Sequence, residues 1–398
     1  MVPEQKEFVD SCWKDILASE RFSMGKYTEQ FEDAFAKSVG RRFAVAVSSG
    51  TAALDAMFHC LDVKDDDGGK PRIFMPCMTW PSSHWMAEKN GLHVFLTDVG
   101  DDFLIKLGPN CVQGTSWFST PKFKKTDILF VVTTGGIISP RVIQMIRDWP
   151  GIVLEDSSHS HGSVLSLEGQ SFKAGTLGKH AIFSLYGTKA WQCGEGGVLV
   201  TDDDVFYKQV CRYVNCGKDR GSVVVRDEGV NYRMSEMQAA LALSYVKFKE
   251  EIHKQYTEIV QVYGNHAIPC LQEQIFGLTP SWYKYIVPLT AEPRVGVVNQ
   301  VDFIEQHMKE QGYPCGGRVH NPHTDNQGDY KYYTHSENTN ESDYLSRGFY
   351  TLYAQHVALN HVCLPIMWTT PKKAEKTAKA LFKAAKAWEQ HSITLNQG

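Results

Sequence analysis

The sequence lacks the cysteine pattern of a disulfide-stabilised or zinc-binding protein. Its 398 residues include ten cysteines, but no two of them form a Cys-x-x-Cys pair and their spacing is irregular. Such a scatter is typical of reduced thiols in a cytoplasmic enzyme, whereas secreted scaffolds and zinc sites have regular spacings. We therefore expect a cytoplasmic protein, and we interpret the glycosylation sequon at Asn340 as a chance match.

Signals for a membrane or a nucleic acid are also missing. The N-terminus has no apolar signal core, and no apolar run approaches the ~20 residues that a transmembrane helix needs. The formal net charge is -4, and there is no basic run that would attract a polyanion. The sequence thus predicts a protein that binds neither membranes nor nucleic acids.

Short apolar segments alternate with amphipathic ones through the first two thirds of the chain. Strand-like runs such as RIFMP, DILFVV and GIVLEDS are separated by helix-like segments such as PSSHWMAEKN and SPRVIQMIRDW. This alternation predicts an α/β fold with a mostly parallel central sheet flanked by helices. A long helical pattern, SEMQAALALSYVKFKEEIHKQY, closes this part, so we place a large domain at residues 1–260.

The rest of the chain has a different pattern. WYKYIVPL predicts a strand and TPKKAEKTAKALFKAAKAWEQ a terminal helix, which indicates a smaller α+β domain at residues 261–398. Within it, residues 320–343 form a long polar segment without periodicity, and loops of that length are usually functional. We interpret this segment as a solvated lid over the substrate.

Four side chains of that segment could also suggest a metal site: His320, His323, Asp325 and His335. Their spacing fits no standard metal site, so we assign no metal to them. His320 and His323 are instead candidates for contact with the substrate.

One lysine stands in a setting with little other charge. The stretch FSLYGTKAWQCGEGG places Lys189 between a polar approach and a glycine-rich exit. Most lysines are solvated surface residues, and that is one interpretation of Lys189. The other is a lysine held in a pocket, where a lowered pKa frees the amine to form a Schiff base.

Three further features could serve a cofactor bound to that lysine. Asp156 ends the strand-like run GIVLED, where open α/β sheets place ligands, although an acid there is often a helix N-cap. SSGTAAL can hold a phosphate on the amides of Gly50, Thr51 and Ala52. Trp80 follows RIFMP and could stack on a planar ring, although a core aromatic has the same pattern. Pyridoxal phosphate (PLP) requires an amine, an acid and an anion site of this kind.

The order of the motifs resembles a known family. AVAVSSGTAAL, LEDSSHSHG, AGTLGKHAIFSLYGTK, GEGGVLVTDD and NYRMSEMQAAL are similar to blocks of the DegT/DnrJ/EryC1/StrS family, the PLP-dependent sugar aminotransferases of fold type I. The resemblance runs from residue 22 to 250, and more weakly through CLPIMW. It implies a fold type I PLP-transferase that works as a homodimer with shared active sites.

The resemblance also implies roles for individual residues. Lys189 would form the Schiff base with PLP, and Asp156 would face the pyridinium nitrogen. His159 would contact the ring hydroxyl, and Trp80 would stack on the ring. His159 and His161 could also suggest a metal site, but one cofactor contact and one bystander explain the pair better. The remaining implied contacts are to the phosphate from Gly50, Thr51, Ser184 and the other subunit's Asn231, and to the donor carboxylate from Arg233.

The implied activity is a transamination in two halves. Glutamate or glutamine would give its amino group to the cofactor, and a nucleotide-linked keto sugar would then take it, with Lys189 as the proton shuttle. A branch of the family that dehydrates sugars at C3 has His at this position, so Lys189 favours transamination.

Several alternatives stay open at this stage. Residues 133–140 and 314–335 depart from the family pattern, so a keto-cyclitol or another carbonyl compound could be the acceptor. The same Schiff base could serve decarboxylation or carbon–carbon chemistry. A non-catalytic regulatory homologue is disfavoured because both Lys189 and Asp156 are present.

Overall fold

A computed structural model describes most of the chain. The described residues are 1–64, 68–108, 111, 122–289, 300–313, 315, 319, 361–367 and 369–397. The α-helices are α1 (Pro3–Ser19), α2 (Lys26–Val39), α3 (Gly50–His59), α4 (Pro81–Lys89), α5 (Pro140–Asp148), α6 (Asp204–Tyr213), α7 (Glu236–Lys247), α8 (Lys249–Asn265), α9 (Gln300–Glu310) and α10 (Pro371–Gln397). The strands are β1 (Phe43–Val47), β2 (Arg72–Pro76), β3 (His93–Thr97), β4 (Ile128–Val132), β5 (Ile152–Asp156), β6 (Val164–Leu167), β7 (Gln170–Lys173), β8 (His180–Ser184), β9 (Gly197–Thr201), β10 (Leu278–Thr279), β11 (Tyr285–Pro288) and β12 (His361–Leu364).

The centre of the molecule is a seven-stranded sheet with the order β1-β9-β8-β5-β4-β2-β3. The pairs from β8 to β3 are parallel, whereas β9 is antiparallel to both β1 and β8. The prediction of a mostly parallel α/β sheet is confirmed. Because the parallel strands share one direction, the carboxyl ends of β2, β4, β5 and β8 lie at the same edge, where such sheets bind ligands.

Helices cover both faces of this sheet, which explains why its strands read as continuous apolar runs. On one face, Phe35 of α2 is fully buried and packs edge-to-face on Phe183 of β8, with 5.0 Å between ring centroids. On the other face, Phe58 of α3 packs on Phe130 of β4 at 5.6 Å. The helix α3 also lies against β8 and β9, and this packing fixes its N-terminus at the ligand-binding edge.

One helical pattern forms two helices. The segment SEMQAALALSYVKFKEEIHKQY, predicted as a single helix, contains α7 and α8, which meet at Phe248 (φ -108°, ψ 27°). The prediction is wrong at this point because the backbone leaves the helical region at Phe248. The apolar spacing continues on both sides of the bend, so the pattern did not reveal it.

The C-terminal part has an apolar core of its own. Strands β11 and β12 pair antiparallel, and Tyr263 of α8 packs against Tyr285 of β11 with both side chains fully buried. Helices α8, α9 and α10 contribute to the same core. Helix α8 crosses residue 260, so the predicted domain boundary stays a prediction. The segment 320–343 lies outside the described residues, together with its four candidate ligands (His320, His323, Asp325, His335).

No helix among the described residues combines the length and the apolar character needed for a membrane span.

Glu236, buried at the start of α7, connects this helix to α2. Its carboxylate accepts hydrogen bonds from the backbone amides of Gly25, Tyr27 and Thr28 at 2.9, 2.8 and 3.0 Å. Amides of the first helical turn have no acceptor within the helix, and a carboxylate there also complements the helix dipole. This contact joins the start of α7 to the start of α2.

We expect Glu236→Ala to lower the free energy of unfolding by about 3 kcal/mol, because buried amides lose their acceptor. Glu236→Gln keeps one acceptor oxygen, so its cost should be smaller, about 1 to 2 kcal/mol. Urea denaturation followed by circular dichroism measures both variants. An alanine variant as stable as the wild type would contradict this role for Glu236.

Candidate active site

A cavity of about 700 Å³ opens at the carboxyl edge of the sheet. Its walls come from the N-terminus of α3, the turns after β2 and β5, the end of β8, and the segment before β11. Seven of the predicted site residues line it: Gly50, Thr51, Trp80, Asp156, His159, Ser184 and Lys189. The fold therefore brings together residues that lie far apart in the sequence.

The loop that presents Lys189 is the connection between the antiparallel strands β8 and β9. Main-chain hydrogen bonds join Gly187 N to Gly194 O at 2.9 Å and Leu185 N to Gly196 O at 2.8 Å. Gly194 has φ 85°, a left-handed conformation that favours glycine. The hairpin therefore requires glycine at position 194, which explains the glycine-rich exit of this stretch. The same hairpin fixes the backbone of Lys189.

The environment of Lys189 favours a reactive amine. Its side chain is partly buried in the cavity. Burial lowers the pKa of Lys189 below its ordinary 10.5, while Tyr283 and Asp156 oppose this shift and the positive charge of Lys284 adds to it. A lysine with a lowered pKa is more often a neutral nucleophile near neutral pH.

Asp156 lies at the end of β5 and is almost completely buried. Its carboxylate accepts a hydrogen bond from Ser158 N at 2.9 Å, so it caps a local turn and no helix. Burial raises the pKa of Asp156, and the Ser158 contact and the charge of Lys189 act in the opposite direction. A cationic partner inside the cavity would offset that burial penalty.

His159 is oriented by the segment that departs from the family pattern. In the turn Thr134–Gly136, the amide of Gly135 donates to His159 Nδ1 at 3.3 Å. Because Nδ1 accepts, a neutral ring carries its proton on Nε2. Tyr283 stacks on the same imidazole at 4.2 Å between centroids. Gly135 of TTGGIISP thus sets the tautomer of a residue that lines the cavity, and Tyr283 orients the plane of its ring.

The N-terminus of α3 presents backbone amides of the kind that bind anions. Ser49 Oγ accepts from Ala52 N at 3.0 Å and caps the helix, while Gly50 and Thr51 line the cavity with the first amides of the helix. A Cβ at Gly50 would lie 2.8 Å from Ser184 Cβ, so glycine lets the turn approach the end of β8. Helix N-termini with free amides bind phosphates.

Three of the predicted site residues do not line the cavity that contains Lys189. Ala52 is buried with its amide bound to Ser49 and does not line the cavity. Asn231 is exposed outside it. Arg233 lines a separate cavity of about 470 Å³, where its guanidinium donates to Asn215 Oδ1 at 3.1 Å.

The structure also shows the surroundings of Trp80 and His161. Trp80 is 64% exposed at the rim of the cavity, so it is no core residue and its ring is available for stacking. His161 is buried near Phe183 and Trp191, and burial lowers its pKa to about 3, so its ring is neutral. His161 lines a different cavity from the one that contains Lys189.

Several lining residues were not predicted from the sequence. Tyr283 and Lys284 come from the segment before β11, and Thr79, Tyr186 and Glu195 from turns at the edge of the sheet. WYKYIVPL gave only a strand signal, because the approach of this segment to β5 and β8 is a tertiary contact with no local pattern.

The comparison with known proteins agrees with the fold described above. The DegT/DnrJ/EryC1/StrS aminotransferase family matches residues 3–360. The chain belongs to this family. It is a PLP-dependent aminotransferase of fold type I, as the order of its motifs predicted.

Solved structures show the same fold at low sequence identity. The aminotransferase is similar to PseC of Helicobacter pylori, which is involved in pseudoaminic acid biosynthesis (TM-score 0.73, 18% identity, 97% of each chain covered). It is also similar to the PLP form of the putative sugar aminotransferase Spr1654 of Streptococcus pneumoniae (TM-score 0.74, 17% identity, 97% of each chain). A third is GDP-4-keto-6-deoxy-D-mannose-3-dehydratase of E. coli with bound hydrated PLP (TM-score 0.71, 19% identity, 96% of this chain and 97% of that one).

The residues of the aminotransferase fit PLP. The cavity contains an amine with a lowered pKa, a buried acid at the sheet edge and the N-terminus of α3. Glycine at position 50 leaves room for this N-terminus to lie against Ser184. These groups match the aldehyde, the ring nitrogen and the phosphate of the cofactor.

A close backbone contact holds the cradle against the lysine hairpin. A Cβ at Gly197, the first residue of β9, would lie 2.3 Å from the carbonyl oxygen of Ser49 and 2.8 Å from Gly50 N. Real Cβ atoms do not approach backbone atoms so closely, so any side chain at Gly197 has to displace the turn that precedes α3.

We expect Gly197→Ala to weaken PLP binding about tenfold or more, because a displaced cradle misplaces its amides. Gly264→Ala is the matched control, since a Cβ there has open space in α8 and should be neutral or slightly stabilising. Equilibrium dialysis of PLP against both variants measures the effect. Equal PLP affinity of Gly197→Ala and Gly264→Ala would contradict the proposed contact.

Proposed function

We propose that this aminotransferase moves an amino group from glutamate or glutamine to a nucleotide-linked keto sugar in two successive half-reactions. The observation that carries the proposal is the presence of Lys189 and Asp156 in one cavity with a phosphate cradle, in a chain of this family. PLP supplies the electron sink for this chemistry when it is bound.

Lys189 is the group that moves protons. In the first half-reaction its Nζ removes the proton from the α-carbon of the donor amino acid. In the second, the same Nζ delivers a proton to the former carbonyl carbon of the acceptor. A pKa lowered by burial suits this role, because a general base works best when its pKa is near the operating pH.

The identity of the lysine supports transfer over elimination. One of the solved structures with this fold is a sugar 3-dehydratase, so the fold alone does not choose between the two reactions. Lysine at position 189 is the feature that distinguishes transamination from dehydration in the family resemblance described above.

Exposed aromatic rings support a sugar as the acceptor. Trp80 and Tyr186 line the cavity, and their side chains are 64% and 48% exposed. Flat apolar faces at the rim of a polar cavity suit the C–H faces of a sugar ring or a nucleotide base. A cavity of about 700 Å³ is within the usual range for small-molecule sites.

The exposed position of Asn231 supports a homodimer in which this residue reaches the cofactor phosphate of the partner. The nearby loop exposes three apolar side chains, Val223, Val224 and Val225, by 91%, 55% and 64%. Contiguous exposed apolar residues are typical of protein interfaces.

Each of the ten cysteines is a free thiol, which supports a reducing compartment such as the cytoplasm.

The two half-reactions can be observed separately. We expect L-glutamate or L-glutamine to remove the absorbance of the PLP form near ~420 nm and to release the corresponding keto acid. The aminated enzyme, freed of donor, should then convert a nucleotide-linked keto sugar to an amino sugar, identified by mass spectrometry. Lys189→Ala should do neither, whereas the exposed Lys179→Ala should do both. Release of CO₂, or colour that no amino acid removes, would contradict the proposal.

A mixing experiment tests the shared site. Lys189→Ala and Asn231→Asp should each be inactive, the second because a carboxylate repels the phosphate. After subunit exchange, roughly a quarter of wild-type activity should return, because half of the dimers combine the two variants and each has one intact site. If both residues served the same chain, mixing would restore no activity.

A further inference from the structure

The cavity has two lysines with different surroundings. Among the described residues, the lysine and arginine side chains that line it are Lys189 and Lys284. In the proposed function, the amine of Lys189 is used by the cofactor and by proton transfer. Lys284 therefore supplies the lasting positive charge in this part of the cavity.

The backbone of Lys284 is fixed by the C-terminal core. Its carbonyl oxygen accepts a hydrogen bond from Gln272 Nε2 at 2.6 Å, and the same amide nitrogen donates to Gly135 O at 3.1 Å. The residues on either side, Tyr283 and Tyr285, are buried. Lys284 is thus held in place by the same glycine turn that orients His159.

The two ammonium groups share one aromatic neighbour. Lys189 Nζ lies 5.1 Å and Lys284 Nζ 5.6 Å from the centroid of the Tyr283 ring. In an α-amino acid a single carbon separates the amino nitrogen from the carboxylate. A cation that binds the carboxylate of a donor must therefore lie close to the lysine that reacts with its amine.

Arg233 does not occupy that place. It lines the separate cavity, and its guanidinium is held by Asn215 and Cys216 at 3.1 and 3.5 Å. A donor carboxylate would otherwise face Asp156 and Glu195 in the same cavity without a compensating charge. Recognition of an amino acid at this site requires a cation, and Lys284 is placed to provide it.

We propose that Lys284 binds the α-carboxylate of the donor amino acid. The proposal rests on the proposed function, because it assumes that an amino acid is the donor. It assigns donor recognition to the C-terminal part of the chain, while the residues that hold the cofactor come from the large sheet.

The decisive experiment compares the two half-reactions in Lys284→Met and Lys284→Arg. We expect the second-order rate constant for the donor that the wild type uses to fall about tenfold to a hundredfold in Lys284→Met, since a charged hydrogen bond is lost. Lys284→Arg should restore part of it. Amination of the acceptor by enzyme loaded with pyridoxamine phosphate should change less than about twofold. The exposed Lys208→Met, on α6, is the matched control.

A binding measurement provides a readout that does not depend on turnover. Glutarate has both carboxylates of glutamate but no amine, and its affinity for the PLP form can be measured by isothermal titration calorimetry. We expect its dissociation constant to rise about tenfold in Lys284→Met and to recover in Lys284→Arg. The visible spectrum of each variant shows whether PLP is bound, and Lys284→Gln replaces the methionine variant if that one fails to fold.

The outcomes separate this inference from the proposed function. If no amino acid reacts with the wild type, the proposed function fails, and the inference fails with it. If the wild type reacts and Lys284→Met is unchanged with both donor and glutarate, only the inference is overturned. A loss confined to the acceptor half-reaction would also overturn it, because Lys284 would then serve the phosphates of the acceptor.

Discussion

The approach of β9 to the turn before α3 is the constraint on which the site depends. Gly197 touches the carbonyl of Ser49, and Gly50 touches Ser184, so two segments far apart in the chain meet without side chains between them. This contact places the helix N-terminus that can bind a phosphate beside the hairpin that presents Lys189. Strand β9 makes it possible because it runs antiparallel between β1 and β8, so its first residue lies at the ligand-binding edge, beside the carboxyl ends of both neighbours.

Electrostatics at this edge are tuned by burial. Removal from water raises the pKa of Asp156 and lowers that of Lys189, so both groups are moved towards their neutral forms. A cofactor with a cationic ring nitrogen would offset the burial penalty of the Asp156 carboxylate, and its aldehyde would react with the neutral amine of Lys189. Both pKa shifts have one physical cause, which is burial. A buried acid and a neutral amine in the same cavity are complementary to the ring nitrogen and the aldehyde of PLP.

The C-terminal part of the chain also contributes residues to the cavity. Tyr283 stacks on His159 and lies beside Lys189, and Gln272 connects the backbone of Lys284 to the glycine turn at Gly135. The cofactor residues are thus closed in by groups that belong to another core.

The sequence by itself determined the sheet class and the cofactor, and it predicted Lys189, Asp156 and the Gly50–Thr51 turn as site residues. These features are local: a strand end, a helix start and a hairpin each need particular residue types at fixed spacing. The bend at Phe248, the separate location of Arg233 and the presence of Tyr283 and Lys284 in the cavity were decided only by the tertiary structure. They depend on how distant elements pack, and packing of that kind leaves no periodicity or motif in the chain.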